Sequence, residues 1–298
     1  VKKARRVLLG NSLTANLLAR NDDLVVDVWE GGSDLYGWSL GSLCIDRVPM
    51  FLPRACCQQL LRDSLTEVNV EVTVEGPEKG LAEKFGEATK TTLWLGGKLL
   101  VPERPLCTYF REFLRRVTTT RIFSPISRID LSYKVLRTYH CDIEYDELVN
   151  TLPLDYFLSK AGLNDLRSHL GYRSAHAVLA VAESRLEDYT KIFVGHRGYL
   201  VGYVVSYGRS PLGNYIYAFT PITRSTLKAE LIGRTLSELK RLKIIEGHIK
   251  MLRTHLIKYF MFSGSTEEVS ETLRKYGIAL AGRYGTWADL SICDICRS

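Results

Sequence analysis

Several features are scarce in this 298-residue chain, and each absence removes a class of answer. No run reaches the roughly 18 consecutive apolar residues that a spanning helix needs, so a helical membrane protein is not expected. There is no GxxxxGK[ST] phosphate loop, no GxSxG elbow and no HExxH pair, which leaves nucleophilic and metal-assisted hydrolysis without a motif. Long blocks of one charge are missing too. The 40 Lys+Arg and 33 Asp+Glu leave a net charge of +7, but the two signs are interspersed. Charge alone therefore does not favour nucleic acid as a partner. Glutamine occurs only at Gln58 and Gln59; such trimming of thermolabile amides is a thermophile trait.

Cysteine is present but unpatterned. Seven residues, an odd number, scatter from Cys44 to Cys296 in a chain too long to need staples, so reduced thiols are expected. Cys293 and Cys296 form a lone CxxC. A zinc site takes about four ligands and no second pair has suitable spacing, so no metal is expected. The basic lead Val1–Arg6 is followed by only Val7-Leu8-Leu9 before Gly10-Asn11-Ser12. That is too short for a secretory h-region, and a cytoplasmic setting is the expectation.

Hydrophobic residues make up 46% and charged residues 24% of the sequence, values of an ordinary globular protein of one large domain or two smaller ones. Arg5–Leu9 reads as a strand closing in an apolar run. Leu13, Leu17 and Leu18 then share one face of a short helix. Leu24–Glu30 is a second, β-branched strand closed by a carboxylate. Strand, glycine turn, helix, strand and terminal Glu make the opening of a dinucleotide-binding βαβ unit. Gly10, Ser12 and Ala15 occupy its three turn positions. Glycine at the first permits the tight turn, and Ala is tolerated at the third. Ser12 brings a Cβ and a hydroxyl to the second. Glu30, about twenty residues past Gly10, stands where a ribose hydroxyl is bound.

Further along, Val68–Val74 alternates as a half-buried strand, and Leu93–Pro102 reads as a hairpin turned at Gly96-Gly97. A helix is expected over Ala55–Ser64 and another over Leu106–Val117. Four strands joined by glycine-containing turns (Ser174–Ala182, Lys191–Val194, Tyr199–Ser206, Asn214–Thr220) predict an antiparallel sheet. Ser225–Arg241 and Thr266–Tyr276 are helical in pattern, and Ile244–Phe262 favours strand. Arg253, His255 and Lys258 suit a charge-protected edge strand or a surface for single-stranded nucleic acid. His176 reads as a core histidine, and His196-Arg197 as a solvated turn.

Four segments in order resemble the flavoprotein superfamily of amine oxidases, protoporphyrinogen oxidases and UDP-galactopyranose mutases. They are the N-terminal βαβ with the glycine-rich Gly31–Gly41 loop, the Trp94–Pro102 segment, Tyr145–Leu154 ("YDELVNTLPL"), and Ile278–Trp287 with Asp294. The resemblance implies an α/β fold: a Rossmann-like, FAD-binding-type parallel sheet, an added antiparallel sheet and a reduced helical cap. It implies domains at 1–102 with 263–298 (dinucleotide-binding), 103–128 (cap remnant) and 129–262 (antiparallel sheet with one long helix). It also implies FAD as cofactor, bound through Gly10, Ser12, Leu13, Ala15, Glu30, Gly37, Gly282, Arg283, Tyr284, Gly285 and Trp287. Arg283 reads either as a phosphate partner or as half of a salt bridge. Where the family has Gly-Gly and a cofactor-reaching arginine, this chain has Tyr36-Gly37-Trp38-Ser39-Leu40, with Arg47 and Arg54 as the nearby substitutes. The helical substrate segment shrinks to residues 103–128. Two functions stay open: a flavin-dependent oxidoreductase or mutase-like enzyme on a small substrate, and a non-catalytic scaffold (a pseudoenzyme) for a partner protein or nucleic acid.

Overall fold

The computed structural model describes residues 1–28, 37–40, 43–53, 65–86, 94–109, 112, 119–222 and 228–289. In chain order these form β1 (Lys2–Leu9), α1 (Leu13–Leu18), β2 (Leu24–Asp27), β3 (Gly37–Leu40), β4 (Leu43–Asp46), β5 (Leu52–Pro53), β6 (Leu65–Glu75), α2 (Glu78–Phe85) and β7 (Gly97–Pro102). Residues 106–109 and 112 are helical (α3). Next come β8 (Thr120–Phe123), β9 (Ile126–Asp130), β10 (Val135–Thr138), β11 (Asp142–Asn150), α4 (Leu154–Ala161) and α5 (Asn164–Arg167). The remainder is β12 (Leu170–Ser184), β13 (Thr190–Val194), β14 (Tyr203–Ser210), β15 (Gly213–Ile222), α6 (Lys228–Arg241), β16 (Ile245–Gly264), α7 (Glu267–Lys275), β17 (Ile278–Leu280) and α8 (Gly282–Gly285). Two compact units result, the first from Val1–Asp46, Arg104–Gly171 and Ser263–Ser298, the second from Arg47–Glu103 and Tyr172–Phe262.

The first unit is built on a sheet of order β8-β2-β1-β11-β10-β9, with β17 also paired to β11. Its centre is parallel, β1 lying between β2 and β11. A parallel sheet is covered on both faces and needs uninterrupted apolar strands; Val7, Leu8 and Leu9 are fully buried, as are Val25 and Val26 of β2. Leu8, Val25 and Val149 line up across three strands and pack with Leu18, Ala19 and Ala281. The charged half of β1 is tied down by ion pairs. Arg6 Nη1 lies 3.0 Å from Asp23 Oδ2, which also accepts from the Arg20 N–H at 2.7 Å, so one buried carboxylate joins β1 to the approach of β2. From the interval 103–128, β8 joins this sheet parallel to β2; β9 and β10 form an antiparallel pair leading into β11.

The reduced-thiol expectation is overturned for one pair. Cys44 and Cys107 form a disulfide, with Cα atoms 6.2 Å apart. They are 63 residues apart in sequence, a pairing that only the tertiary structure brings together. Asp46 helps, its carboxylate accepting the backbone N–H groups of Leu106 at 2.8 Å and Cys107 at 3.0 Å. Burial raises the Asp46 pKa to about 6 in spite of those donors.

The second unit holds an eight-stranded sheet of order β16-β12-β15-β14-β13-β6-β7-β5. The four predicted strands are β12 to β15, antiparallel where they neighbour one another. Ala180, Ala182, Ile192, Val204, Ile216 and Ala218 pack on one face against Leu239 of α6. The turn after β13 is clamped by buried charge. Glu238 accepts from the N–H groups of Leu200 and Val201, at 2.8 Å from its nearer oxygen. Lys84 donates to the carbonyls of Val194, His196 and Val201. β7 pairs antiparallel with β6 and β5; of the first arm expected for a Gly96-Gly97 hairpin, Trp94 and Leu95 are not strand and Leu93 lies outside the described residues. β16 stands at one end of the sheet order, which suits its Arg253, His255 and Lys258. The helix expected over 55–64 and the CxxC pair lie outside the described residues.

Candidate functional site

The first unit gathers the predicted turn residues at the carboxyl ends of β1 and β11. Gly10 has φ +107°, and its N–H donates to Val26 O at 2.8 Å. A Cβ there would meet Thr151 Oγ1 at 2.7 Å and Leu152 Cδ2 at 3.1 Å, so conformation and space both demand glycine. Ser12 is the N-cap of α1: its Oγ accepts from the Ala15 N–H at 3.1 Å. The same hydroxyl donates to Thr151 Oγ1 at 2.9 Å, and Thr151 Oγ1 donates to Leu9 O at 2.7 Å. Ser12 thus spends its hydroxyl inside the turn, linking β1, α1 and the end of β11. Leu13 begins α1, and Ala15 is fully buried.

The C-terminal motif arrives at the same place. Gly282 opens α8 with φ +70°, and a Cβ on it would clash with Thr14 Oγ1 and stand 2.9 Å from Thr14 Cβ and Cγ2. Gly285 packs as closely on Asn150 O. Ala281 donates to that same carbonyl at 3.0 Å, and the Thr286 hydroxyl returns to Gly282 O at 2.8 Å. Two backbone turns from opposite ends of the chain meet, with Gly10, Ser12, Thr14, Ala15, Gly282 and Gly285 between them. Gly10, Thr14, Ala15, Gly282 and Gly285 are buried in this contact, and Ser12 is partly exposed beside them; small residues that let backbones come this close are what a phosphate-binding turn is built on.

The other expected residues take varied positions. Arg283 pairs with Asp289, Nε to Oδ1 3.2 Å, and its guanidinium lies 5.8 Å from the Tyr284 ring centre. Trp287 is buried, its indole N–H donating to Gly171 O at 3.0 Å and Ser263 O at 3.2 Å. Gly37 sits in β3, where a Cβ would meet Cys107 Sγ at 2.5 Å. Glu30, the loop through Tyr36, and Arg54 lie outside the described residues. In the second unit His176 is buried, while His196 and Arg197 form an exposed turn in which Arg197 pairs with Glu83. Burial and the charge of Arg47 hold the His255 pKa at about 4.

Sequence reading passed over Asn11, Thr14, Asn16, Arg121 and Thr151. Thr151 stands within the segment that carried the family resemblance, so a signal was present; Arg121 had none.

No protein-family model matches the chain and no curated protein matches its sequence. Solved structures do match. UDP-galactopyranose mutase in its reduced form superposes with a TM-score of 0.76 at 12% identity, over 99% of this chain and 92% of that one. A protein assigned as a protoporphyrinogen oxidase from Exiguobacterium sp. 255-15 gives 0.73 at 12% identity, over 99% and 96%. Putrescine oxidase bound to putrescine gives 0.70 at 10% identity, over 99% and 98%. With the βαβ turn and the C-terminal glycine turn meeting as they do, the chain shares the fold of these three structures.

Proposed function

We propose that the first unit binds FAD and that the protein is a flavin-dependent oxidoreductase or mutase-like enzyme acting on a small substrate. One observation carries this reading: the Gly10–Ala15 turn and the Gly282–Gly285 turn pack directly on each other through Thr14 and Gly282, which brings the N-terminal phosphate-turn motif and the C-terminal motif to one place. In this reading Gly10, Ser12, Leu13 and Ala15 hold the pyrophosphate and Glu30 the adenosine ribose. Gly37 and the Gly282–Trp287 segment follow the flavin half, with Arg283 as a phosphate partner in balance with Asp289. Bound flavin would supply the two-electron chemistry; the chain's residues bind it, orient it and exclude water.

Purified protein tests the proposal. A yellow protein with flavin absorbance that releases FAD on denaturation is the expected result. A colourless protein that takes up no added FAD refutes it and directs attention to the scaffold reading, for which a salt-dependent shift of single-stranded DNA or RNA separates a nucleic-acid partner from a protein one.

A further inference from the structure

We infer that Arg121 is a positioning residue for the dinucleotide, locking the phosphate turn through Asn11 and Asn16; the inference rests on the proposed FAD site. Arg121 sits on β8, in register with Val25 of β2, which is in register with Leu8 of β1. It therefore starts two strands away from the turn it reaches. Its Nη1 donates to Asn11 Oδ1 at 2.9 Å and its Nη2 donates to Asn16 Oδ1. Asn16 Nδ2 in turn donates to Asn11 Oδ1 at 3.1 Å and to Ser12 O at 2.8 Å. Asn11 and Asn16 are 5% and 2% exposed, so this network is internal to the fold.

The physical consequence follows from where the two amides stand. Asn11 lies between Gly10 and Ser12 in the turn, and Asn16 lies in α1 just after it. A planar fork that holds both at once fixes the turn relative to the helix, and two rigid parallel donors do this where a single ammonium cannot. The usual glycine at the second turn position is absent here, replaced by Ser12. Side-chain bonds to Thr151, Asn16 and Arg121 therefore supply the turn's definition. A turn already ordered before ligand arrives does not lose that ordering entropy on binding. Arg121 acts through Asn11 and Asn16, by geometry rather than by charge.

Flavin-free protein is titrated with FAD, by quenching of flavin fluorescence, for wild type and for Arg121→Lys. Amide hydrogen exchange of residues 11–16 and of β11 is followed without ligand. The expected result is a tenfold or greater rise in Kd for Arg121→Lys and faster exchange at 11–16, with β11 protection unchanged. Asn16→Ser, which takes away one arm of the fork and keeps the arginine, is expected to do the same, and it decides the matter if the lysine variant fails to fold. Wild-type affinity in Arg121→Lys, or in Asn16→Ser when it stands in, overturns the inference alone. A wild-type protein that binds no FAD overturns the proposed function and this inference with it.

Discussion

Replacing Gly282 by Ala probes the seam on which the functional reading stands. Two costs add. The residue holds φ +70°, a left-handed conformation that costs an L side chain about 1–2 kcal/mol. The new Cβ also meets Thr14 Oγ1, Cβ and Cγ2 at or inside 2.9 Å. Thr14 is only 4% exposed and has little room to withdraw, so overpacking adds about 1–3 kcal/mol. The sum, roughly 3 kcal/mol, is a large fraction of ordinary domain stability. Because the chain has two units, the loss is read by native-state hydrogen exchange of β1 and β11 amides, which report the opening of the first unit itself. Thr14→Ala removes Oγ1 and Cγ2 but keeps the Cβ that would stand 2.9 Å away, so in that background the cost of Gly282→Ala should fall by the part that Oγ1 and Cγ2 contribute. The cycle then gives a coupling of about 1–2 kcal/mol. A loss below about 1 kcal/mol, or no coupling, would show that the turns do not bear on each other.

Other outcomes are expected. Asp23→Ala leaves Arg6, only 15% exposed, without its buried carboxylate; exchange from β1 should reveal a loss of about 3 kcal/mol, and replacing both partners by apolar residues should recover much of it. Burial lowers the pKa of Lys191 from 10.5 to about 8, so between those values the native state holds fewer protons than the unfolded chain. Lys191 alone should raise stability of the second unit by roughly 2 kcal/mol from pH 8 to pH 10, in the same direction as half-buried Lys84, whose pKa is also lowered to about 8, and urea unfolding of Lys191→Met should show a flatter profile; above that range Tyr203, whose pKa burial raises, stays neutral in the fold and reverses the slope. Reduction of the Cys44–Cys107 bond opens a loop of 63 residues and should cost about 4 kcal/mol on the chain-entropy estimate, seen as a lower denaturation midpoint with reductant and two more titratable thiols.

Local patterns made much of the fold legible. The apolar close of β1, the Gly10 turn, the β-branched β2 and the apolar runs of β12 to β15 between glycine-containing turns each depend on residues a few positions apart, and local pattern records such neighbours. The resemblance at Tyr145–Leu154 and Ile278–Trp287 survived for the same reason: Gly282 and Gly285 must be glycine wherever their turn is used, since each faces backbone or a buried side chain. What the sequence could not record were contacts between distant segments. The hairpin at Gly96-Gly97 looked complete locally, yet β7 found β6 and β5. The cysteines showed no framework, yet Asp46 draws the start of α3 to β4 and two thiols meet. Ser12 brings a hydroxyl to the second turn position, and its partner Thr151 stands 139 residues away. Arg121 carried no signal at all, because a guanidinium that bridges strands has no period. Local pattern thus determined most of the elements, and the motif resemblance pointed to the family of folds. Which polar groups are shared across the sheet was decided only by tertiary structure, where burial obliges each of them to find a partner.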